Sequence, residues 1–165
     1  MFEQILIPTD GSECSQVAVQ RGIELAKLTA GRITFLHVID ISIERMISTW
    51  ALPVIADELA VLEREGEKAL TWALELARGA GIEAVSKLTR GHPAPVIVEV
   101  AKDHDLIVMG THGLRGLERM LLGSVADGVL HQSKTPILLL RASAGASNET
   151  KSVAVPETKA QRIDP

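Results

Sequence analysis

Cysteine is almost missing from this chain, and so are aromatic rings. Among 165 residues there is one cysteine, Cys14, and the only aromatic side chains are Phe2, Phe35, Trp50 and Trp72. A single thiol excludes an intramolecular disulfide framework and suits a reducing compartment. Cys14 itself reads as a small buried or half-buried side chain. No apolar run approaches the roughly 20 residues needed to cross a bilayer, so no membrane partner is expected. The start, Met1-Phe2-Glu3-Gln4, lacks the basic and then apolar pattern of a signal peptide, which predicts a cytoplasmic protein. Lysine and arginine form no dense block, the formal net charge is −4, and the few aromatics do not interleave with basic residues. Those absences argue against nucleic acid as a partner, because such surfaces neutralise many phosphates and stack bases.

Two familiar phosphate-binding signatures are absent as well. No Gly-x-x-x-x-Gly-Lys-Ser/Thr occurs, nor the dinucleotide spacing Gly-x-Gly-x-x-Gly. His37, His92, His104, His112 and His131 show no paired ligand spacing, so no metal centre is expected.

What the chain has instead is apolar material in short runs. Hydrophobic residues make up 46% of the sequence, enough for one domain with a sizeable core. The runs are Ile5 to Ile7, Ile33 to Ile39, Glu83 to Leu88, Leu106 to Met109, and Ile137 to Leu140. Continuous apolar character predicts strands buried on both faces, except in the third, whose alternation predicts an edge with one partly exposed face. Between them lie segments of helical period. Cys14 to Thr29 spaces Val17, Ala18, Arg21, Leu25 and Leu28 by three or four residues. Ile55 to Arg78 aligns Leu59, Leu62, Gly66, Ala69, Leu70, Ala73, Leu76 and Ala77 against Glu63, Glu67, Lys68 and Glu75. Shorter helices fit Pro95 to Lys102 and Gly123 to Gln132, with turns at Gly31, at Gly79 to Gly81, and at Asp103 to Asp105.

Strands and helices therefore alternate, which predicts an α/β fold: a parallel sheet with helices on both faces and right-handed crossovers. Two segments resist the pattern. Ile41 to Val54 has no clear period and fits a flap, a partner surface or an irregular helix entrance. Ala142 to Pro165 is short of large apolar residues and reads as a flexible tail.

Ligands in open α/β sheets collect beyond the carboxyl ends of strands, where neighbouring crossovers leave to opposite faces. Two loops are equipped for that place. The first strand runs into Pro8-Thr9-Asp10-Gly11-Ser12. There Asp10 can accept hydrogen bonds from ribose hydroxyls or a base amino group, help hold a divalent cation, or serve as an Asx-turn or helix cap. Ser12 reads as a cap, since no sequence signal gives it an activating base. The fourth strand runs into Gly110-Thr111-His112-Gly113, followed after nine residues by Gly123-Ser124. Gly110 and Gly113 can take positive φ and let the main chain approach a ligand, while amides at Gly123, Ser124 and Val125 can face an anion. The same glycines also fit an ordinary strand-to-helix connection. His112, Arg115 and Arg119 are further candidates for charge near a phosphate.

With these residues in place the chain resembles the ATP-binding branch of the universal stress proteins, whose mark is Gly-x2-Gly-x9-Gly-Ser/Thr. Gly110, Gly113, Gly123 and Ser124 meet every fixed position. Ile5 to Ser12 is similar to the family's first strand and acidic loop, Leu36-His37-Val38-Ile39 to its second strand, and Leu121 to Val125 with Thr135 to Arg141 to its closing section. The likeness spans Met1 to Arg141, one universal stress protein domain, and leaves 142–165 outside it.

The resemblance implies a five-stranded parallel sheet ordered 3-2-1-4-5, of adenine-nucleotide α-hydrolase-like type. It implies ATP with Mg2+ as ligand, with Pro8, Thr9 and Asp10 beside the adenosine and Val38 offering main-chain contacts to adenine. Met109 and Gly110 would border ribose and phosphates, and Gly113, Gly123, Ser124 and Val125 would wrap the phosphate chain. Many relatives carry a basic residue directly after the His-Gly pair; here Leu114 stands there and Arg115 follows. The family also implies a homodimer through the last strand, Ile137, Leu138, Leu139 and Leu140. Binding is better supported than catalysis. The alternative is a slow Mg-dependent ATPase or an adenylyl-transferring enzyme of the same fold, yet no His-x-Gly-His and no Ser-Gly-Gly-x-Asp-Ser occurs.

Overall fold

The computed structural model describes residues 2–41, 52–112 and 122–141, with backbone alone for 52–58. Five parallel strands form one sheet: β1 (Gln4–Pro8), β2 (Arg32–Asp40), β3 (Ala84–Gly91), β4 (Leu106–Gly110) and β5 (Ile137–Leu140), in the order β3-β2-β1-β4-β5. Each is followed or preceded by a crossover helix: α1 (Glu13–Thr29), α2 (Leu52–Gly79), α3 (Pro93–Ala101) and α4 (Ser124–Gln132). The expected order and architecture are those observed. The third strand is an edge, as its alternation predicts, and carries Val85 in the open at 59% exposure.

Side-chain alternation along the strands divides the apolar residues between two cores. Ile5, Ile7, Ile33, Phe35 and Val108 meet α1 and α2 on one face, through Ala18, Val19, Ala26, Leu70, Ala73 and Ala77. Leu6, Leu36, Ile107 and Met109 meet α3 and α4 on the other, through Ile97, Ala101, Ala126 and Val129. The crossover from β1 therefore leaves to one face and the crossover from β4 to the opposite face.

The helical face of α1 differs from the expected one. Its buried residues are Ser15, Ala18, Val19, Gly22, Ile23 and Ala26, whereas Arg21 is exposed and Leu28 is 85% exposed. The stripe of Val17, Ala18, Arg21, Leu25 and Leu28 follows residue size, but the contact selects smallness. At Gly22 an added Cβ would run into the Ile7 side chain. A helix that lies this close to the sheet carries small residues, Ser15, Ala18, Gly22 and Ala26, along its buried face, with Val19 and Ile23 as its larger members.

Element ends also shift. β3 continues to Gly91 because its ladder with β2 runs on to the pair Asp40 and Gly91. Helix α2 begins at Leu52, inside the stretch that showed no period, and α3 starts at Pro93, where proline's missing N–H costs nothing. In the α2 stripe Gly66, Leu70, Ala73 and Ala77 are buried, but Leu76 is exposed. The remainder of the aperiodic stretch, 42–51, and the tail, 142–165, lie outside the described residues. Among the described residues no helix is long and apolar enough to cross a membrane.

Replacing Phe35, which is fully buried, with alanine is expected to cost about 3–5 kcal/mol in urea unfolding. Replacing the larger-looking prospect on α1, Leu28, should change stability by less than about 0.5 kcal/mol. Equal costs would contradict the observed face of α1.

Candidate functional site

The carboxyl ends of β1 and β4 lie side by side, since the two strands pair through Ile5 with Leu106 and Leu6 with Ile107. The loop after β1 is fixed by a dense set of bonds. Thr9 is buried, and its N–H donates to the Leu36 carbonyl at 2.9 Å, extending the ladder past Pro8. A relay of hydroxyls runs beneath the loop. Gly11 N–H donates to Thr9 Oγ1 (3.3 Å), Thr9 Oγ1 to Ser15 Oγ (3.1 Å), and Ser15 Oγ to the Ser12 carbonyl (2.9 Å). With an amide at one end and a carbonyl at the other, the direction of every donor in the relay is set.

Asp10 Oδ1 accepts from Ser12 N–H at 3.0 Å, an Asx-turn, while Ser12 Oγ caps α1 by accepting from Ser15 N–H at 3.3 Å. Gly11 has φ +80° and is the residue of this loop that needs glycine's freedom. Its carbonyl accepts from Gln16 Nε2 at 3.0 Å.

His37 on β2 reaches the same loop. Its Nδ1 lies 2.9 Å from the Thr9 carbonyl, which can only accept, so Nδ1 carries the proton. The ring lies against Gly66 of α2, where an added Cβ would come within 2.6 Å of His37 Cδ2. Burial pulls the imidazole below its ordinary value of 6.5; the Thr9 carbonyl and the Asp10 charge oppose this without reversing it.

Across the crevice, Gly110 does not have the positive φ expected of it; the positive-φ glycines among the described residues are Gly11, Gly81 and Gly91. Its requirement is clearance. An added Cβ would stand 2.8 Å from Cys14 Cβ and 2.9 Å from the Cys14 carbonyl carbon, in the first turn of α1. Cys14 is half-buried, as expected. Thr111 follows, buried, with its N–H on the Leu140 carbonyl (2.8 Å) and its carbonyl accepting from Gly123 N–H (2.7 Å). The Gly123 amide is thus engaged by protein and not directed at a ligand.

Gly123 is the N-cap of α4, with φ −75° and ψ 154° and no side-chain cap. The first intrahelical bond from it runs from Asp127 N–H to the Gly123 carbonyl at 2.9 Å. The amides of Ser124, Val125 and Ala126 therefore point off the helix end, the arrangement that favours an anion. Ser124 is exposed and Val125 half-buried.

Val38 lies beyond the last pair of β1 with β2, Pro8 with Leu36. Leu36 directs its carbonyl toward β1, to Thr9. Two residues on, the peptide groups of Val38 point the same way, past the end of β1. Met109 is buried among the residues facing α3 and α4, at the end of β4 next to Gly110.

Pro8, Thr9, Asp10, Val38, Gly110, Ser124 and Val125 are therefore gathered at one end of the sheet. Gly113, Arg115 and Arg119 lie outside the described residues. His104 is not part of this group: its ring bonds the Val100 carbonyl and Thr34 Oγ1. Among the described residues no cluster of three or more His, Cys, Asp or Glu side chains could hold a metal ion. A groove of about 850 Å³ opens at the opposite, amino end of the sheet, lined by Glu3, Lys102, Asp105 and Lys134 among others. It has neither the strand-end loops nor the helix N-terminus found at the carboxyl end.

Sequence reasoning missed His37, Ser15 and Thr111 as parts of this site. Each carried a faint signal. His37 is a lone polar ring in an apolar strand, Ser15 stands three residues after a cap, and Thr111 directly follows the strand-end glycine.

Sheet order, helix placement and the crevice between β1 and β4 define an α/β protein of the adenine-nucleotide α-hydrolase-like fold. The family model described as the Universal stress protein family matches residues 1–141, and the chain belongs to that family. It is 37% identical over 143 residues to Universal stress protein MJ0531 of Methanocaldococcus jannaschii, covering 86% of this chain and 83% of that relative. The solved structure of MJ0577 from the same organism is 31% identical, with a TM-score of 0.76 over 88% of this chain and 99% of that one. A universal stress protein solved in complex with cAMP is 26% identical, with a TM-score of 0.60 over 85% of this chain and 97% of that one.

Two measurements check this geometry. Gly110→Ala should destabilise the fold by about 1–3 kcal/mol in urea, because the backbone of Cys14 cannot retreat as a side-chain tip would. For His37, the unfolded state takes up a proton as pH falls through 6.5, while the folded imidazole stays neutral to a lower pH. Stability should therefore fall with pH across the window that opens at 6.5 and ends at the lowered folded value. Unfolding curves of the wild type and His37→Asn from about pH 7.5 to 5.5 should diverge as the pH drops, with the wild type losing more.

Proposed function

We propose that this chain binds ATP together with Mg2+ in the crevice between β1 and β4, as a nucleotide-dependent stress-response dimer in the cytoplasm. The observation that carries the reading is the open amino end of α4. It is held by the bond from Gly123 to Thr111 beside β4, one strand away from the Asp10 loop. Ser124 and Val125 supply amides to the phosphates, and the Ser124 hydroxyl adds a donor. Pro8, Thr9 and Asp10 border the adenosine, and the peptide groups of Val38 read the adenine edge. Met109 and Gly110 border the ribose and phosphates, and Gly113 with Gly123 completes the glycine set. A magnesium ion carried in by the triphosphate would neutralise phosphate charge, and Asp10 is the carboxylate of the loop after β1 that could help hold it. The cAMP complex of a relative supports an adenine nucleotide as the ligand class.

A ligand that binds only the folded form stabilises it by mass action, by about 2.7 kcal/mol at a hundredfold excess over Kd. Occupancy thus has a consequence without turnover. β5 pairs with β4 on one side only, and Leu138 is 39% exposed along it. An open apolar edge is a hazard unless a second copy covers it, which favours the dimer through Ile137 to Leu140. The domain extends over 1–141, followed by a tail.

Mass spectrometry of ligand released from native protein is expected to find an adenine nucleotide. Calorimetry with ATP and Mg2+ should give saturable binding that weakens about tenfold or more in Gly123→Val and about three- to tenfold in Ser124→Ala. Unchanged affinity in both would overturn the site. Steady release of phosphate or AMP, lost in Asp10→Ala, would replace binding with catalysis as the function. Analytical ultracentrifugation at micromolar concentration should show a dimer for the wild type and a monomer for Leu138→Glu; a wild-type monomer would sink the interface.

A further inference from the structure

We propose that His37 is a positioning residue of the nucleotide site, coupling the main chain that reads adenine to the acidic loop; this rests on the ATP reading above. Most bonds that shape the loop after β1 are local. Those from Gly11 to Thr9, Ser12 to Asp10, Ser15 to Ser12 and Gln16 to Gly11 all begin and end within residues 9–16. They fix the loop's internal form but not its place on the sheet.

Two bonds at Thr9 supply that place, and both come from β2. Leu36 accepts the Thr9 N–H, and His37 Nδ1 donates to the Thr9 carbonyl at 2.9 Å. That carbonyl belongs to the peptide linking Thr9 to Asp10, so its direction sets where the Asp10 side chain leaves the backbone. The residue after His37 is Val38, whose peptide groups point past the end of β1. One imidazole thus ties the Val38 segment to Asp10.

Packing alone gives no reason for an imidazole here. The ring lies in a slot beside Leu88 and Gly66, where a hydrocarbon would be desolvated at less cost. Its hydrogen bond among the described residues is the one to Thr9. The missing Cβ at Gly66 makes room for the ring against α2.

The test compares full-length wild type, His37→Leu and His37→Asn. Leucine fills the slot without a donor, whereas the asparagine amide places an N–H near the Nδ1 position. Hydrogen exchange is read at the Gly11 and Ser12 amides, and the affinity for ATP with Mg2+ is measured by calorimetry. His37→Leu should speed exchange at both amides and weaken ATP binding roughly five- to tenfold. His37→Asn should bring both readouts to within about threefold of wild type. Wild-type exchange in His37→Leu, or equal failure of the two variants, would overturn the proposal. If the leucine variant does not fold, His37→Gln replaces it, since its amide lies one bond too far out. If wild type itself binds no ATP, the nucleotide reading has failed; the exchange comparison then decides by itself whether His37 positions the loop.

Discussion

β1 is buried from both faces, and the carboxyl end of the sheet depends on that constraint. Ile5, Leu6 and Ile7 have no exposed surface, which requires a strand on each side and a helix layer above and below. A central strand of this kind must be joined to its neighbours by crossovers, because parallel strands cannot be linked by tight turns. Here the crossover from β1 rises to α1 on one face and that from β4 to α4 on the other. The connections part above the strand ends, and the gap between them is the candidate site. Hydrophobic burial thus makes the crevice before any polar residue is considered.

Three glycines border this crevice for three different physical reasons. Gly11 supplies a left-handed backbone angle, Gly110 lets a helix turn pass over a strand end, and Gly123 starts a helix without a side chain that would compete for its exposed amides. A motif records only that glycine occurs at a spacing. The same letter hides a dihedral, a distance and a cap, which is why positive φ assigned to Gly110 from sequence was misplaced by one loop.

What the sequence made legible follows the strength of the signal. Apolar runs located β1, β4 and β5 almost to the residue, because hydrophobicity alone separates them from amphipathic helices. β5, however, is an edge strand whose residues are half-buried or exposed, not buried on both faces as its continuous run predicts, since among the described residues no strand covers its outer side. The strand order came with the family resemblance, not with the pattern of elements. The face of α1 was misread since Leu28 looks like core by size, whereas the contact with Ile7 and Val108 selects small residues. His37, Ser15 and Thr111 stayed hidden for another reason. Each acts through a directed hydrogen bond to a main-chain atom, often far along the chain, and main-chain partners leave no mark in the order of side chains.

The bond from Gly123 N–H to the Thr111 carbonyl, at 2.7 Å, brings the two ends of a connecting segment together at its base. Above such a closure the length of chain is thermodynamically cheap, each doubling costing only about 0.6 kcal/mol. The closure is made by main-chain atoms alone, so it holds the start of α4 against the end of β4 whatever side chains the chain between them carries.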